Sequence, residues 1–194
     1  MIFDYQNKII LIKIVYYGPA MSGKTTSLKY LFSYFGKEKE LESIENTMGR
    51  TLFFDFGVLQ FSGSEWNLKL LLYSATGQDF YAVTRPSTLI GVDGLVFVAD
   101  SQTNFLGYNL RSWNELKTLF GQELYDIPIV ISLNKYDLEE ENKIDEEQIK
   151  NSVEFNKFKQ IAIVKTIALK GTGILDSFKN LINFIFPQST IKNS

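Results

Sequence analysis

The chain has 194 residues, of which 45% are apolar and 22% charged, and its formal net charge is −2. That length supports one domain with a full core, and the charge argues against a nucleic-acid binder that relies on a broad basic face. With no cysteine and no histidine, disulfides, thiolate metal sites, cysteine-linked lipid anchors and imidazole catalysis are excluded.

Residues 8–17 (Lys8-Ile9-Ile10-Leu11-Ile12-Lys13-Ile14-Val15-Tyr16-Tyr17) form an apolar run that predicts a buried strand. It leads directly into Gly18-Pro19-Ala20-Met21-Ser22-Gly23-Lys24-Thr25, which has the spacing G-x-x-x-x-G-K-[ST] of a phosphate-binding loop. The spacing has a mechanism. Glycines let the backbone wrap round a phosphate, with successive N–H groups turned inward as an anion nest. Lys24 reaches the terminal phosphates, and the Thr25 hydroxyl is suited to Mg²⁺. Expected phosphate contacts are Gly18, Ala20, Met21, Ser22, Gly23, Lys24, Thr25 and Thr26. A helix predicted over Lys24–Phe35, stopped by Gly36, turns its positive end to the same anion.

Residues 37–50 are polar and charged and read as a long loop. Thr51–Phe61 alternates Leu52, Phe54, Phe56 and Val58 onto one face, a strand pattern. The turn Ser62-Gly63-Ser64-Glu65 and the run Trp66–Tyr73 complete a hairpin. Ser74–Ile90 reads as irregular and polar. Gly94–Asp100 is a second fully apolar strand, and a helix over Phe105–Phe120 follows. Ile127–Leu133 is another buried strand, Glu139–Lys150 a charged loop and helix, and Gln160–Val164 a short last strand. Over Gly173–Phe186 the residues Ile174, Phe178, Leu181 and Ile185 recur at helical spacing. Pro187 ends that helix, and Gln188–Ser194 reads as a frayed tail.

Strands alternating with helices imply an α/β fold of three layers: a mainly parallel sheet covered on both faces, with one antiparallel edge strand from the hairpin. No linker or repeat divides the chain, so a single domain with its core over about residues 8–186 is expected. No apolar run reaches the ~18 residues of a membrane span. Ile2 excludes N-myristoylation, and Lys8 and Lys13 interrupt any signal-like stretch. A cytoplasmic protein without membrane span or lipid anchor is expected.

Asn134-Lys135-Tyr136-Asp137 follows a buried strand, where open α/β sheets bind ligands. A carboxylate there accepts two hydrogen bonds from the N1–H and exocyclic amine of guanine, a pair that adenine lacks. A wrong base would leave that acceptor unpaired. Asn134 can brace the phosphate loop, and the stem of Lys135 can cover the base. Gly77-Gln78 follows the hairpin: the Gly77 amide suits a γ-phosphate, and Gln78 suits the attacking water.

With these motifs in place the chain resembles a small Ras-like GTPase of the P-loop fold, and more closely the bacterial MglA group of gliding-motility and cell-polarity GTPases. The closer match lies in Arg50-Thr51-Leu52-Phe53-Phe54-Asp55-Phe56, in Gly77-Gln78-Asp79-Phe80-Tyr81 and in Gly91–Ser101. The resemblance spans about residues 8–186. It implies a GTP/GDP switch that hydrolyses GTP with Mg²⁺, a roadblock-type activator protein and polarity effectors as partners, and control of cell polarity or surface motility. It also implies that Thr51 ligates Mg²⁺, that Arg50 acts as a built-in arginine finger, a role worth roughly 10³–10⁵ in rate, and that Gln78 positions water. The Ala168 backbone N–H would contact the guanine oxygen. Only that backbone contact carries over, because Ile167-Ala168-Leu169 stands where the usual motif is Ser-Ala-Lys.

Two departures change the expected chemistry. Ser74 stands where small GTPases usually carry the aspartate that holds a Mg²⁺-bound water, and Asp55 on the neighbouring strand is expected to compensate. Ala20 replaces a glycine, and its methyl would crowd Gln78, so slow intrinsic hydrolysis is expected. The alternative function is a GTP-binding scaffold with little or no hydrolysis. An ATPase or kinase is a third reading, opposed by Asn134 and Asp137. Phe80, Tyr81 and Trp66, in or near the loops expected to move, are candidate partner anchors.

Overall fold

The computed structural model describes residues 1–45, 51–77, 85–138 and 143–187, with the backbone alone at 43–45 and 51–54. Its elements in chain order are β1 (Ile2–Asp4), β2 (Ile9–Tyr17), α1 (Lys24–Tyr34), β3 (Leu41–Glu45), β4 (Thr51–Ser62), β5 (Asn67–Ala75), α2 (Arg85–Leu89), β6 (Gly94–Asp100), α3 (Leu106–Phe120), β7 (Ile129–Asn134), α4 (Glu146–Val153), β8 (Ile161–Lys165) and α5 (Ile174–Ile185). The strands form one sheet in the order β3-β4-β5-β2-β6-β7-β8, with β1 paired to β2 outside that path. Strands β5, β2, β6, β7 and β8 run parallel. The mainly parallel α/β architecture read from the sequence is therefore present.

Both faces of β2 are apolar because both are covered. Ile12, Ile14 and Tyr16 join Leu28, Leu31 and Phe32 of α1 and Phe178 and Leu181 of α5 on one side. Val15 and Tyr17 join Trp113 and Leu116 of α3 and Ile149 and Val153 of α4 on the other. Burying a Leu- or Phe-sized side chain contributes about 1.5–3 kcal/mol, so the two clusters fix the sheet between its helices. The α5 stripe faces the core: Ile174, Phe178 and Leu181 are buried, and Ile185 is half-buried against the same cluster.

Three segments differ from the sequence reading. The polar 37–50 loop contains β3, which pairs antiparallel with β4 and becomes the sheet edge. Leu41 packs on the core there, but a short run rich in polar residues is too weak a pattern to mark a strand; the pairing partner supplies the rest. The irregular 74–90 segment starts with the last residues of β5 and contains α2. At its end the Lys13 ammonium donates to the Ile90 carbonyl at 2.7 Å, a long-range cap no local pattern reveals. Residues 2–4, unassigned from sequence, form β1, turned back by Asp4, whose carboxylate accepts from the Asn7 N–H at 3.0 Å and side chain at 2.8 Å. The antiparallel part thus has three pairings, β1–β2, β3–β4 and β4–β5, rather than the single hairpin. The expected tail, 188–194, lies outside the described residues.

Candidate nucleotide-binding site

The loop between β2 and α1 has the backbone its glycines predict. Gly18 has φ +141°, and a Cβ there would lie 2.2 Å from the Val98 carbonyl oxygen. Gly23 has φ +106°, and its Cβ would lie 2.1 Å from the Asn134 side-chain nitrogen. Neither position accepts another residue without moving the sheet or the base loop. Met21 adopts φ +60°, and its side chain is 67% exposed. Single residues in this left-handed region turn their amides toward a common centre, as a phosphate nest requires.

Lys24 folds across this loop. Its ammonium donates to the Gly18 carbonyl at 2.9 Å and the Pro19 carbonyl at 2.7 Å. Burial lowers its pKa to about 7, the nearby Arg85 guanidinium pushes the same way, and Asp55 opposes both. An incoming phosphate would reverse this by favouring the charged form. Beside it the Thr25 hydroxyl donates to Asp55 Oδ2 at 2.6 Å. Asp55 is fully buried and stands directly opposite Ser74 in the β4–β5 register. The Ser74 and Ser22 hydroxyl oxygens are buried with no hydrogen-bond partner among the described residues. A hydroxyl, a carboxylate and an unpartnered hydroxyl together suit a hydrated Mg²⁺, which keeps waters and few protein ligands. No cluster of three acidic side chains offers an all-protein metal cage among the described residues.

Gly77 closes against this loop, since a Cβ on it would lie 2.4 Å from the Ala20 nitrogen. Thr51 begins β4, where only its backbone is described, paired to Glu45. Arg50, Gln78, Phe80 and Tyr81 lie outside the described residues. Trp66 does not lie near the phosphate loop. It packs edge-on against Phe3 at 6.1 Å and Tyr5 at 5.4 Å, beside the start of β5, which pairs with the start of β2 at the opposite end of the sheet. The expectation that it borders the loops around the phosphates is corrected accordingly: the hairpin is long, and its tip points away.

The base side is fully connected. Asn134, the last residue of β7, donates to the Ser22 carbonyl at 2.7 Å, and its oxygen accepts from the Ala168 N–H at 2.9 Å and the Thr166 hydroxyl at 3.3 Å. One side chain thus ties the phosphate loop to the loop after β8. Ala168 lies in the loop after β8 with its N–H committed to Asn134, so a guanine oxygen would have to share or replace that bond. The next residue, Leu169, is 88% exposed, an apolar side chain at the mouth of the base site. Lys135, at φ +60°, donates to Asp100 Oδ2 at 2.6 Å. The Lys170 ammonium, 3.0 Å from Asp137 Oδ2, lowers the Asp137 pKa. Asp137 is therefore an ionised acceptor, as guanine recognition needs.

Asp100, Lys170 and Arg85 were missed as site residues. For Asp100 a signal existed: it is a carboxylate ending an otherwise apolar strand. Lys170 and Arg85 are placed by tertiary contacts alone. No described helix is long and apolar enough to cross a membrane.

Comparison with known proteins agrees with this geometry. The ADP-ribosylation factor family matches residues 4–185. Mutual gliding-motility protein MglA of Myxococcus xanthus (strain DK1622) is 35% identical over 191 residues, covering 95% of this chain and 95% of that protein. Ras-related protein Rab-11C of Dictyostelium discoideum is 27% identical over 177 residues, covering 91% of this chain and 73% of its own. With a phosphate loop braced to a base loop by one asparagine, and a family match over nearly its whole length, the chain belongs to the ADP-ribosylation factor family and is a small GTPase related to MglA.

Proposed function

We propose that this chain is a GTP/GDP switch that hydrolyses GTP with Mg²⁺, working as one GTPase domain. Family membership implies the guanine nucleotides and the switch. The observation that supports the rest is the Asn134 bridge to Ser22 and Ala168, which joins a phosphate cradle to a base-reading carboxylate at Asp137. Bound Mg²⁺ would neutralise charge on the β- and γ-phosphate oxygens. The Thr25 and Thr51 hydroxyls would hold it directly, and Asp55 would hold a coordinated water in place of the aspartate that Ser74 replaces. Lys24 would turn from the Gly18 and Pro19 carbonyls toward the phosphates. Gln78 would orient the attacking water and Arg50 would neutralise charge developing on the transferred group. Gly77 would donate its N–H to the γ-phosphate, and Asn134, Lys135, Asp137 and Ala168 would hold the base.

The kinship with a protein named for mutual gliding motility supports a role in bacterial surface motility or cell polarity, in the cytoplasm, with a roadblock-type activator and polarity effectors as partners. One observation favours a second reading, a GTP-binding scaffold. The Ala20 backbone lies against Gly77, the residue before Gln78, and a methyl at position 20 leaves that glutamine less room than a glycine would. A single-turnover assay with GTP and, in parallel, ATP in Mg²⁺ decides. Conversion of GTP to GDP with ATP untouched is the expected result, at a slow rate without an activator. Stable GTP binding with no conversion, even with an activator of the roadblock type, would leave the scaffold.

A further inference from the structure

A second buried cation stands beside the phosphate loop. Arg85, the first residue of α2, is 6% exposed, and its charge depresses the pKa of Lys24. Burying a guanidinium next to an ammonium is costly unless its donors are all directed. Here they are. Arg85 Nε donates to the Thr76 carbonyl at 2.9 Å, and Nη1 forms an ion pair with Glu115 of α3. The Tyr17 phenol, at the end of β2, lies beside both groups and is held protonated by burial and the Glu115 carboxylate.

The carbonyl of Thr76 and the N–H of Gly77 belong to the same planar, trans peptide, so they point in opposite directions. Whatever fixes the carbonyl fixes the amide. A charged donor on the carbonyl also polarises the peptide and makes its N–H a stronger donor. The amide so held belongs to Gly77, which packs against Ala20. The planar fork holds Nε on Thr76 and Nη1 on Glu115 in one fixed geometry, which a flexible lysine stem does not impose, so arginine suits the position better.

We infer that Arg85 is a positioning residue for the γ-phosphate: braced by Glu115, it aims the Gly77 N–H at the phosphate that distinguishes GTP from GDP. The inference rests on the GTP/GDP reading of the site. GDP does not reach Gly77, so Arg85 contributes to the preference between the two nucleotides and couples α3 to that choice.

The test is isothermal titration of nucleotide-stripped full-length protein with GDP and with GTPγS in Mg²⁺, for the parent, Arg85→Gln, Arg85→Lys and Glu115→Gln. Arg85→Gln is expected to weaken GTPγS about tenfold or more while GDP stays within about threefold, the effect of one charge-assisted hydrogen bond. Arg85→Lys keeps the charge but loses the fork, and should show the same selective loss. Glu115→Gln should show a smaller loss of the same kind. If Arg85→Gln does not fold by thermal melt, the other two variants decide. Equal losses for both nucleotides, no loss for either, or full recovery in Arg85→Lys would each overturn the inference. A parent that binds neither nucleotide would instead overturn the GTP reading, and this inference with it.

Discussion

The two halves of the nucleotide site are built differently. The base half stands on neighbouring parallel strands, with Asp100 opposite Asn134 and Leu133 opposite Lys165 in register, so the sheet itself brings its polar groups together. Each is already satisfied: Asn134 by three partners, Lys135 by Asp100, Asp137 by Lys170. The phosphate half draws on β2, α1, β4, β5 and α2, which are distant in sequence. It holds two buried cations, Lys24 and Arg85, the second of which, with burial, lowers the pKa of the first, and two buried hydroxyl oxygens, Ser22 and Ser74, with no hydrogen-bond partner among the described residues. A rigid reader of the base is therefore joined to a pocket whose electrostatic tension an anion and a cation would relieve. Affinity should be stored in the first, and discrimination between nucleotides in the second.

The largest expected effect breaks the base half. Asn134→Ala removes the bonds to Ser22, Ala168 and Thr166 and leaves those groups buried and unpaired, at about 1–3 kcal/mol each. Affinity for GDP and for GTPγS should fall together, by about a hundredfold, in titration calorimetry. The equal loss is the point, because Arg85 variants are expected to spare GDP. A loss in Asn134→Ala that fell on GTPγS alone would erase the distinction between the halves.

Next in size is Asp55→Asn, which keeps the shape of the side chain and removes its charge. The Thr25 hydroxyl can still donate to the amide oxygen, but the negative partner of a hydrated cation is gone. The gain in GDP affinity between EDTA and Mg²⁺ should shrink about tenfold, with affinity in EDTA little changed. An undiminished Mg²⁺ effect would show that Asp55 is only a buried partner of Thr25, and that the phosphate half manages without the carboxylate Ser74 replaced.

The same division explains what the sequence disclosed. The phosphate loop, Asn134 and Asp137 were readable because their spacing is local: a nest needs its glycines at fixed intervals, and a base-reading carboxylate follows its strand by three residues. The strand run Gly94–Asp100 matched residue for residue because a fully buried parallel strand has one continuous apolar signature. Strand β3 and helix α2 were not readable. Both are short, and both are held by partners elsewhere: β3 by its ladder with β4, α2 by Lys13 on the Ile90 carbonyl and Glu115 on Arg85. Asp55 was read as compensating for Ser74 from strand alternation alone. Their direct opposition is consistent with that, although no sequence pattern could reveal that Thr25 donates to it.

The smallest expected effect asks whether the firmness of the base half depends on the frame behind it. Glu154 ends α4 in the left-handed region, at φ +58°. It gathers Lys117 of α3, Lys157 and the Tyr125 hydroxyl, tying α3 to the turn that feeds β8. These partners, Lys117 first, hold its carboxyl well down, at about 2 against 4.5 for the free side chain. A carboxyl that is more acidic in the folded chain contributes stability above its unfolded pKa and loses it as the pH falls through the folded one. Glu154→Gln should therefore melt slightly below the parent at pH 7, by about 2 °C or less for a surface carboxylate screened by solvent. The gap should persist down to about pH 5 and close as the pH approaches 2. GDP affinity should be unchanged, since Asn134 and Asp137 take their positions from the sheet. A weakened GDP affinity in this variant would mean that the base half is held by its surface ion pairs as much as by its strands, and that its firmness is not a property of the sheet alone.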